Sequence, residues 1–267
     1  IMTCIIRDIT ERKQTERKLR YLAYHDKLTD LGNRDLFTLS LREYLNEVRR
    51  YGNTKGALLF LDLDGFKKVN DSLGHHVGDA ILVECTRRLR DCLRESDQIF
   101  RVDGEEQEGT KEDLFRFGGD EFVVLLPQLR DPREAAVVAQ KIIKDIRKPY
   151  PVPDNLAFPY ISLGVSIGIA VMPDDGMEIP TLISNADVAM YRAKERGNTY
   201  MFFTQEMNSQ VTRRLQLEEG LRRALGTPQI QLYFQPIHHC RRGVVGMEAL
   251  VRWLHPEEGA IGPEDFV

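Results

Sequence analysis

Short apolar runs alternate along the chain with longer segments of helical periodicity, and this alternation limits the possible folds more than any other feature. The run Gly56–Asp62 is nearly all apolar and too short for a buried helix, so it is predicted to be a central strand. Other strands are predicted at Gln98–Arg101, Leu114–Phe117, Phe122–Pro127 and Tyr160–Val171. Helices are predicted at Glu11–Tyr24, Asn33–Arg50, Phe66–Ser72, Val77–Leu93, Pro132–Arg147 and Thr181–Arg196. This order predicts a layered α/β domain over about residues 26–204, with helices on both faces of a sheet.

Composition and charge exclude several functions before any motif is considered. The chain is 42% hydrophobic and 29% charged, which is ordinary for a globular protein, and its net charge of −4 argues against a nucleic-acid polymer as partner. No apolar run approaches the roughly 18 residues that cross a bilayer. The four cysteines include no CxxC pair, which favours a reducing compartment. We therefore expect a cytoplasmic protein with no membrane contact in this stretch.

The first part of the chain differs in character from the rest. Residues 1–10 form a short β-prone stretch, and residues 11–25 are highly charged, with Leu19 and Leu22 as the main apolar positions. A strand that ends one domain, followed by a linker helix, explains this change. Because the chain starts at an isoleucine and stops directly after Pro-Glu-Asp-Phe-Val, we expect it to be a piece of a longer protein.

A double glycine followed by two acids lies between two predicted strands. The segment Phe117–Phe122 reads FGGDEF, so it is predicted to be a hairpin whose glycines adopt positive φ and leave no side chain at the tip. A phosphate-bearing ligand could approach such a backbone closely. A hairpin turn needs only one Asn or Asp, but Asp120 and Glu121 supply two carboxylates. Taken alone, a solvated turn explains the motif equally well.

A second pair of acids ends the central strand. Asp62 and Asp64 are two residues apart, so they share one face of the strand and repel each other unless a cation joins them. Mg²⁺ prefers such hard oxygen ligands and commonly takes one or two carboxylates together with phosphate oxygens. The alternative is an exposed Asp-Leu-Asp-Gly turn. An EF-hand is excluded by Phe66 and Lys67, and the sequence contains no Walker lysine loop and no GxGxxG.

Polar residues follow these acids at the start of the next helix. Gly65, Phe66 and Lys67 open that helix, which would direct free backbone N–H groups and a lysine toward a triphosphate beside the metal. Farther along lie Asn70, Asp71, His75 and Asp79, whose spacing could return polar groups to the same place. An Asn and an Asp can pair with the edge of guanine, although helix capping is an equally ordinary use of these residues. His75 and His76 have no cysteine or further histidine at zinc-ligand spacing.

Four motifs, in order along the chain, resemble the GGDEF family. They read LDLDGFKKVNDSLGHHVGD, RFGGDEF, VSIGIA and ADVAMYRAKERG, and the resemblance covers most of the chain from Tyr24 to Phe203. It implies an α/β, nucleotidyl-cyclase-like (palm-type) domain with a central mixed sheet. The implied activity is that of a diguanylate cyclase, which condenses two GTP molecules into cyclic di-GMP and two pyrophosphates with Mg²⁺ or Mn²⁺ at a homodimer interface. The alternative is a catalytically weak GGDEF module that binds GTP and regulates an attached phosphodiesterase domain.

The resemblance also implies a role for each motif residue. Metal binding is implied for Asp62, the Leu63 carbonyl and Asp120. Glu121 would assist metal binding or deprotonate the attacking hydroxyl group, and the implied catalytic set is Asp120, Glu121 and Lys67. Substrate contacts are implied for Phe66, Lys67, Asn70, His75, Asp79, Gly118, Gly119 and Lys194. Among these, Asn70 and Asp79 would read guanine, and the two lysines would contact the phosphates.

The sequence departs from the family pattern in three places. Arg94-Glu-Ser-Asp97 has the form of the family's inhibitory product site, but its spacing from the double glycine is broken. Residues 102–115 contain six acids and one lysine and are predicted to be a solvated extension of the hairpin. After Gly197 the family commonly has an arginine, where this chain has Asn198, which would remove one phosphate or regulatory contact.

Residues 205–267 resemble the start of an EAL phosphodiesterase domain. The resemblance rests on LYFQPI and GMEALVRWLHPEEGAIGPEDF. It implies that Glu248 binds metal, that Gln235 and Leu250 contact the dinucleotide, and that Arg252 holds phosphate. The remaining catalytic residues of such a domain would lie beyond this stretch, so the chain itself is not expected to hydrolyse cyclic di-GMP.

Residues 1–10, which end near IIRDITERK, resemble the tail of a PAS sensor domain. The helix at residues 11–25 would then link the sensor to the cyclase, and a parallel pair of such helices could set the spacing between two cyclase domains. A solvated single helix is the alternative.

Overall fold

The computed structural model describes residues 10–52, 55–100, 113–151 and 159–263, and the chain divides into two compact units, Ile1–Thr204 and Gln205–Val267. The helices of the first unit are α1 (Thr10–Tyr24), α2 (Arg34–Tyr51), α3 (Phe66–Leu73), α4 (His75–Phe100), α5 (Arg133–Ile146) and α6 (Ile179–Arg196). Its strands are β1 (Lys55–Asp64), β2 (Leu114–Gly118), β3 (Glu121–Leu129), β4 (Tyr150–Pro151), β5 (Tyr160–Ile161), β6 (Gly164–Met172) and β7 (Tyr200–Phe202). In the part of the chain that is described, no helix has both the length and the apolar character needed to cross a membrane.

The first unit is built on a five-stranded sheet with the strand order β2-β3-β1-β6-β7. Neighbouring strands are antiparallel except for β6 and β7, which are parallel. β1 therefore lies at the centre of the sheet, and eight of its ten residues are buried. The predicted central strand and mixed sheet are confirmed.

Successive side chains of β1 enter two separate cores, because side chains alternate between the two faces of a strand. Leu59 and Leu61 pack with residues of α3, α4 and α5, whereas Leu58 and Phe60 pack with residues of α2 and α6. Burial of one such side chain stabilises the fold by about 1.5–3 kcal/mol. Helices cover both faces of the sheet, as predicted.

Three details of the sequence-based prediction are wrong. The segment predicted as a strand at Gln98–Arg101 is helical as far as it is described, because α4 continues to Phe100. Extension of an existing helix adds one hydrogen bond per residue, whereas a strand requires a neighbouring strand to pair with. The run Tyr160–Val171 forms two strands, β5 and β6, instead of one. The predicted strand Leu114–Phe117 is confirmed as part of β2, so the last two residues of the predicted solvated extension, Leu114 and Phe115, are instead buried in the sheet.

The second unit consists of α7 (Gln205–Ala224) and the strands β8 (Ile230–His239), β9 (Gly243–His255) and β10 (Gly259–Ile261). The strands form an antiparallel sheet in the order β10-β9-β8. The core of this unit surrounds Trp253, which is fully buried, and includes Leu217, Ala224 and Ile261. A Cβ atom at Gly220 would lie 2.9 Å from the Trp253 ring, so the glycine lets α7 pack closely on the indole.

Candidate active site

The end of β1 and the β2–β3 hairpin lie side by side. Asp62 is paired with Glu121 in the β1–β3 register, which places their Cβ atoms roughly 5 Å apart. Asp120 precedes Glu121 in the turn, and its charge acts on Asp62. Gly118 and Gly119 have φ values of 147° and 52°, and a Cβ atom built on either would meet no described atom within 4 Å. The predicted glycine hairpin is confirmed, and its tip is open.

Arg116 holds the hairpin turn in place. Its Nε and Nη2 atoms donate to the Gly119 carbonyl at 3.1 and 2.7 Å, and its Nη1 donates to Asp26 Oδ1 at 2.7 Å. Burial alone would raise the pKa of Asp26, but hydrogen bonds from Thr29 and Arg116 outweigh it and leave the pKa below its ordinary value. The turn is thus tied to the segment that follows α1. Sequence reasoning missed this role, although Arg116 is the first letter of the RFGGDEF motif.

The partner of Asp62 is a lysine near the C-terminal end of α6. Lys194 Nζ lies 2.6 Å from Asp62 Oδ1, and the two side chains are 44% and 10% exposed respectively. Burial raises the pKa of Asp62 above its ordinary value, the hydrogen bond from Lys194 opposes the rise, and the charges of Asp120 and Asp64 add to it. Lys194, which is predicted to contact phosphate, therefore donates a hydrogen bond to Asp62, which is predicted to bind metal.

Glu121 lies in the same electrostatic environment. Its pKa is raised by burial and by the negative charges of Asp187, Asp62 and Asp120, against the opposing charge of Lys194. Asp187 was not identified from the sequence. It stands seven residues before Lys194 in the ADVAMYRAKERG motif, and this two-turn spacing puts both on one side of α6. Four carboxylates therefore lie near the single ammonium group of Lys194, and a divalent cation would reduce the repulsion among their negative charges.

Asp64 is bound differently from Asp62. Its Oδ1 accepts a hydrogen bond from Ser166 Oγ at 2.7 Å, and its Oδ2 accepts one from the Asn198 backbone N–H at 2.7 Å. Asp64 thus has two hydrogen-bond donors of its own, and its negative charge still raises the pKa of Asp62. Asn198, at φ 49°, anchors the loop after α6 to the end of β1 through this backbone hydrogen bond.

The donors at the end of β1 fit a Mg²⁺ or Mn²⁺ site of the kind that uses few protein ligands. Across the described ranges, no group of three or more His, Cys, Asp or Glu side chains could hold a metal ion by itself. Mg²⁺ usually takes one or two carboxylates and completes its shell with water and phosphate oxygens. Asp62 and Asp120 are two such carboxylates. Leu63 lies just beyond Asp62, where pairing with β3 ends and pairing with β6 continues to Asp64.

The predicted guanine-reading residues meet where α3 packs on α4. The Asn70 Oδ1 atom is buried and has no hydrogen-bond partner in the described part of the chain. A Cβ atom at Gly78 would lie 1.9 Å from this oxygen, so Asn70 lies directly against the residue that precedes Asp79. His75, the first residue of α4, is exposed. A buried acceptor without a donor is uncommon in folded proteins, which marks Asn70 as a residue that needs a further explanation.

The two residues that open α3 have different environments. Phe66 is 5% exposed and belongs to the core between α3 and α4, so its contribution to a substrate site would be through packing. Lys67 is exposed in the first turn of α3. Gly65, at φ 80°, starts this helix directly after β1.

A surface cavity of about 420 Å³ adjoins Asp79. It is lined by Leu28, Asp79, Ala80, Val83, Glu84 and Arg87. The wall is therefore partly apolar, with charged groups at its edge, which suits a planar base with polar edges. Leu28 and Val83 were not identified from the sequence, because apolar residues on a loop and a helix carry no specific signal for a ligand.

Several predicted features fall at the edge of the described residues or beyond it. Arg94 and Asp97 lie in α4, but their side chains are outside the described part. Residues 101–112 and the segment that resembles a PAS tail, apart from Thr10, are also outside it. α1 covers all but one residue of the predicted linker helix.

The residues that resemble an EAL site lie together within the second unit. Gln235 on β8 is paired with Glu248 on β9. Glu248, Leu250 and Arg252 alternate along β9, so all three side chains occupy the same face of the sheet as Gln235.

Comparisons with known proteins identify the family to which this fold belongs. The family model described as "Diguanylate cyclase, GGDEF domain" matches residues 23–107 and 109–199, and the EAL domain model matches residues 218–267. The GGDEF domain of TpbB (YfiN) from Pseudomonas aeruginosa has a solved structure that is 31% identical, with a TM-score of 0.60 over 70% of this chain and 99% of that one.

Two curated relatives match nearly the whole chain. The bifunctional diguanylate cyclase/cyclic di-GMP phosphodiesterase MucR of Pseudomonas aeruginosa is 40% identical over 97% of this chain and 35% of its own length. The cyclic di-GMP phosphodiesterase PdeR of Escherichia coli is 38% identical over 100% of this chain and 37% of its own length. The chain thus spans roughly a third of each relative. With its motifs, its mixed sheet and its glycine hairpin, the chain belongs to the GGDEF family and continues into a segment that matches part of an EAL domain.

Proposed function

We propose that residues 26–204 form a diguanylate cyclase domain that condenses two GTP molecules into cyclic di-GMP and two pyrophosphates. The observation that carries the proposal is the cluster of Asp62, Asp120 and Glu121 beside Lys194. Such a cluster suits a metal-bound triphosphate, because acidic oxygens and an ammonium group are both needed where phosphoryl transfer occurs. GTP as substrate also supports a cytoplasmic location.

Each residue has a role that follows from its position. Asp62, Asp120 and the Leu63 carbonyl would hold Mg²⁺ or Mn²⁺, which supplies positive charge to the phosphoryl oxygens when bound. Glu121 would assist metal binding or accept the proton of the attacking 3′-hydroxyl group, a use that its raised pKa favours. Lys67 and Lys194 would contact the phosphates, and the open backbone at Gly118 and Gly119 leaves room for the nucleotide.

Guanine would be read on the α3–α4 side of the site. Asn70 offers a buried oxygen without a donor, and Asp79 lines a cavity of about 420 Å³, with His75 nearby in sequence.

Because one domain would hold one GTP, two domains must face each other, and the active form would be a homodimer. α1 would set the distance between the two domains.

The test is product analysis after incubation of the protein with GTP and Mg²⁺. We expect cyclic di-GMP from the wild-type chain and at least about a hundredfold less from Asp120→Asn or Asp120→Ala, since each removes a charge that the reaction requires. Asp174→Asn is the matched control, because Asp174 pairs with Lys55 at the opposite end of β1 and its side chain is 53% exposed. A wild-type chain that makes no cyclic di-GMP would overturn the proposal.

A second candidate function is favoured by the relatives. PdeR is named a cyclic di-GMP phosphodiesterase, and the chain continues into a segment that matches the EAL domain. Here the GGDEF domain would bind GTP without turnover and regulate the phosphodiesterase of a longer protein. GTP that raises cyclic di-GMP hydrolysis by the full-length protein, without conversion to product, would establish this function in place of the first.

Product inhibition is proposed separately for Arg94 and Asp97, on the strength of the tetrapeptide Arg94-Glu-Ser-Asp97. Arg94→Ala should weaken cyclic di-GMP binding in equilibrium dialysis. If Arg94→Ala bound cyclic di-GMP as tightly as the wild type, this proposal would be refuted.

A further inference from the structure

The contact between Lys194 and Asp62 suggests that the binding of metal and the binding of nucleotide depend on each other. Lys194 Nζ lies 2.6 Å from Asp62 Oδ1, the length of a charge-assisted hydrogen bond. The Asp62 side chain is only 10% exposed, so few other groups can reach it. The ammonium group therefore holds an oxygen that a metal ion would need.

Asp62 is the carboxylate to which Lys194 donates a hydrogen bond in the described part of the chain, although the charges of Asp120 and Asp64 also attract its ammonium group. Asp64 already accepts hydrogen bonds from Ser166 and Asn198 on its two oxygens. Among the other carboxylates, Asp120 also attracts Lys194 electrostatically. If a divalent ion displaced the lysine from Asp62, two cations would face each other across the same oxygen, and their repulsion would weaken metal binding.

A nucleotide triphosphate changes this balance, because its phosphate oxygens offer Lys194 a new anion. The lysine side chain is 44% exposed and extends from the last turn of α6, so its ammonium group can turn toward solvent without movement of the helix. Release of Lys194 then frees Asp62 Oδ1 for the metal. Binding of metal and binding of nucleotide each favour the other, as thermodynamic linkage requires.

We propose that Lys194 acts as a placeholder on Asp62 in the nucleotide-free protein and moves to phosphate when nucleotide binds, so that a divalent ion binds tightly only together with nucleotide. The proposal rests on the metal and nucleotide sites of the proposed function. It assigns Lys194 a positioning role in addition to its phosphate contact.

The experiment measures Mn²⁺ binding by electron paramagnetic resonance, with and without α,β-methylene GTP, which keeps the triphosphate but cannot react. For the wild-type chain we expect the analogue to tighten Mn²⁺ binding by about tenfold or more. In Lys194→Met, Mn²⁺ alone should bind about tenfold more tightly than in the wild type, and the effect of the analogue should shrink. Lys194→Arg, which keeps the charge, should behave more like the wild type.

Lys67→Met is the control for a general loss of positive charge, since Lys67 is exposed and makes no described bond to Asp62. It should weaken binding of the analogue but change Mn²⁺ binding without nucleotide by less than about threefold. Equal Mn²⁺ affinity of the wild type and Lys194→Met without nucleotide would overturn the placeholder role, as would an equal gain in Lys67→Met. Lys194→Gln provides a second variant should the methionine destabilise the fold. Failure of the cyclase assay with Mn²⁺–nucleotide coupling intact would instead overturn the proposed reaction.

Discussion

Gly168 provides the sharpest test of how the fold places Lys194. Gly168 lies on β6, where α6 crosses the sheet, and a Cβ atom there would lie 1.9 Å from the Ala186 carbonyl oxygen and 2.2 Å from the Met190 backbone nitrogen. Real Cβ atoms essentially never approach such an atom closer than 3.0 Å, so Gly168→Ala must push α6 away by about 1 Å. Both obstacles are backbone atoms, and no rotamer change can relieve the clash.

The expected result has a thermodynamic part and a functional part. Overpacking of this kind should lower the free energy of unfolding by about 3 kcal/mol, and the melting temperature should fall by roughly 10 °C. Because Lys194 is on the displaced helix, a shift of about 1 Å should also reduce cyclic di-GMP formation by about a hundredfold. Circular dichroism measures the first effect, and product analysis at a temperature where the variant is folded measures the second.

The control for this substitution is Gly246→Ala. A Cβ atom at Gly246 on β9 would meet only the Ile237 side chain, at 3.8 Å, an ordinary contact. This variant should change the free energy of unfolding by less than about 1 kcal/mol. If Gly168→Ala kept the stability and the activity of the wild type, the argument that this glycine sets the distance between α6 and the sheet would be refuted.

Three further predictions concern other parts of the molecule. Arg116→Ala should lower the free energy of unfolding by about 2 kcal/mol, because it leaves the Asp26 carboxylate without its cationic partner and frees the turn; an unchanged urea midpoint would contradict this. Hydrogen bonds from Arg87 hold the pKa of Glu84 at about 2, below its ordinary 4.5. The ionised Glu84 side chain therefore contributes its full stabilisation above pH 4.5, and this stabilisation is lost as the pH falls toward 2. Glu84→Gln should therefore lose less stability on acidification than the wild type in urea titrations from pH 7 to pH 3, and parallel losses would exclude this role. Gly220→Ala should lower the free energy of unfolding of the second unit by about 1–2 kcal/mol, because the new methyl group would press on the Trp253 ring. Fluorescence of the single tryptophan follows this transition, and an unshifted midpoint would show that α7 can move to make room.

Local physical chemistry explains which parts of the fold could be predicted. Gly118 and Gly119 predicted the hairpin because glycine adopts positive φ more readily than other residues, and the φ of 147° at Gly118 is open to few others. The run that became β1 was recognisable because a strand buried on both faces is apolar at nearly every position. The error at residues 98–100 has the same origin, since the two adjacent apolar residues Ile99 and Phe100 fit a helix and a strand equally well, and only the continuation of α4 decided between them.

The sequence by itself determined the family, most of the strands and helices, and the residue types at the site, because these depend on composition and spacing along one chain. Only the tertiary structure decided which charges meet. Lys194 and Asp62 are 132 residues apart, and Arg116 and Asp26 are 90 apart, so no local pattern links either pair. Their contacts depend on how α6 and the β2–β3 hairpin pack around the end of β1. That packing is a property of the whole sheet, and it is why the state of Asp62 without nucleotide could not be predicted from the motifs.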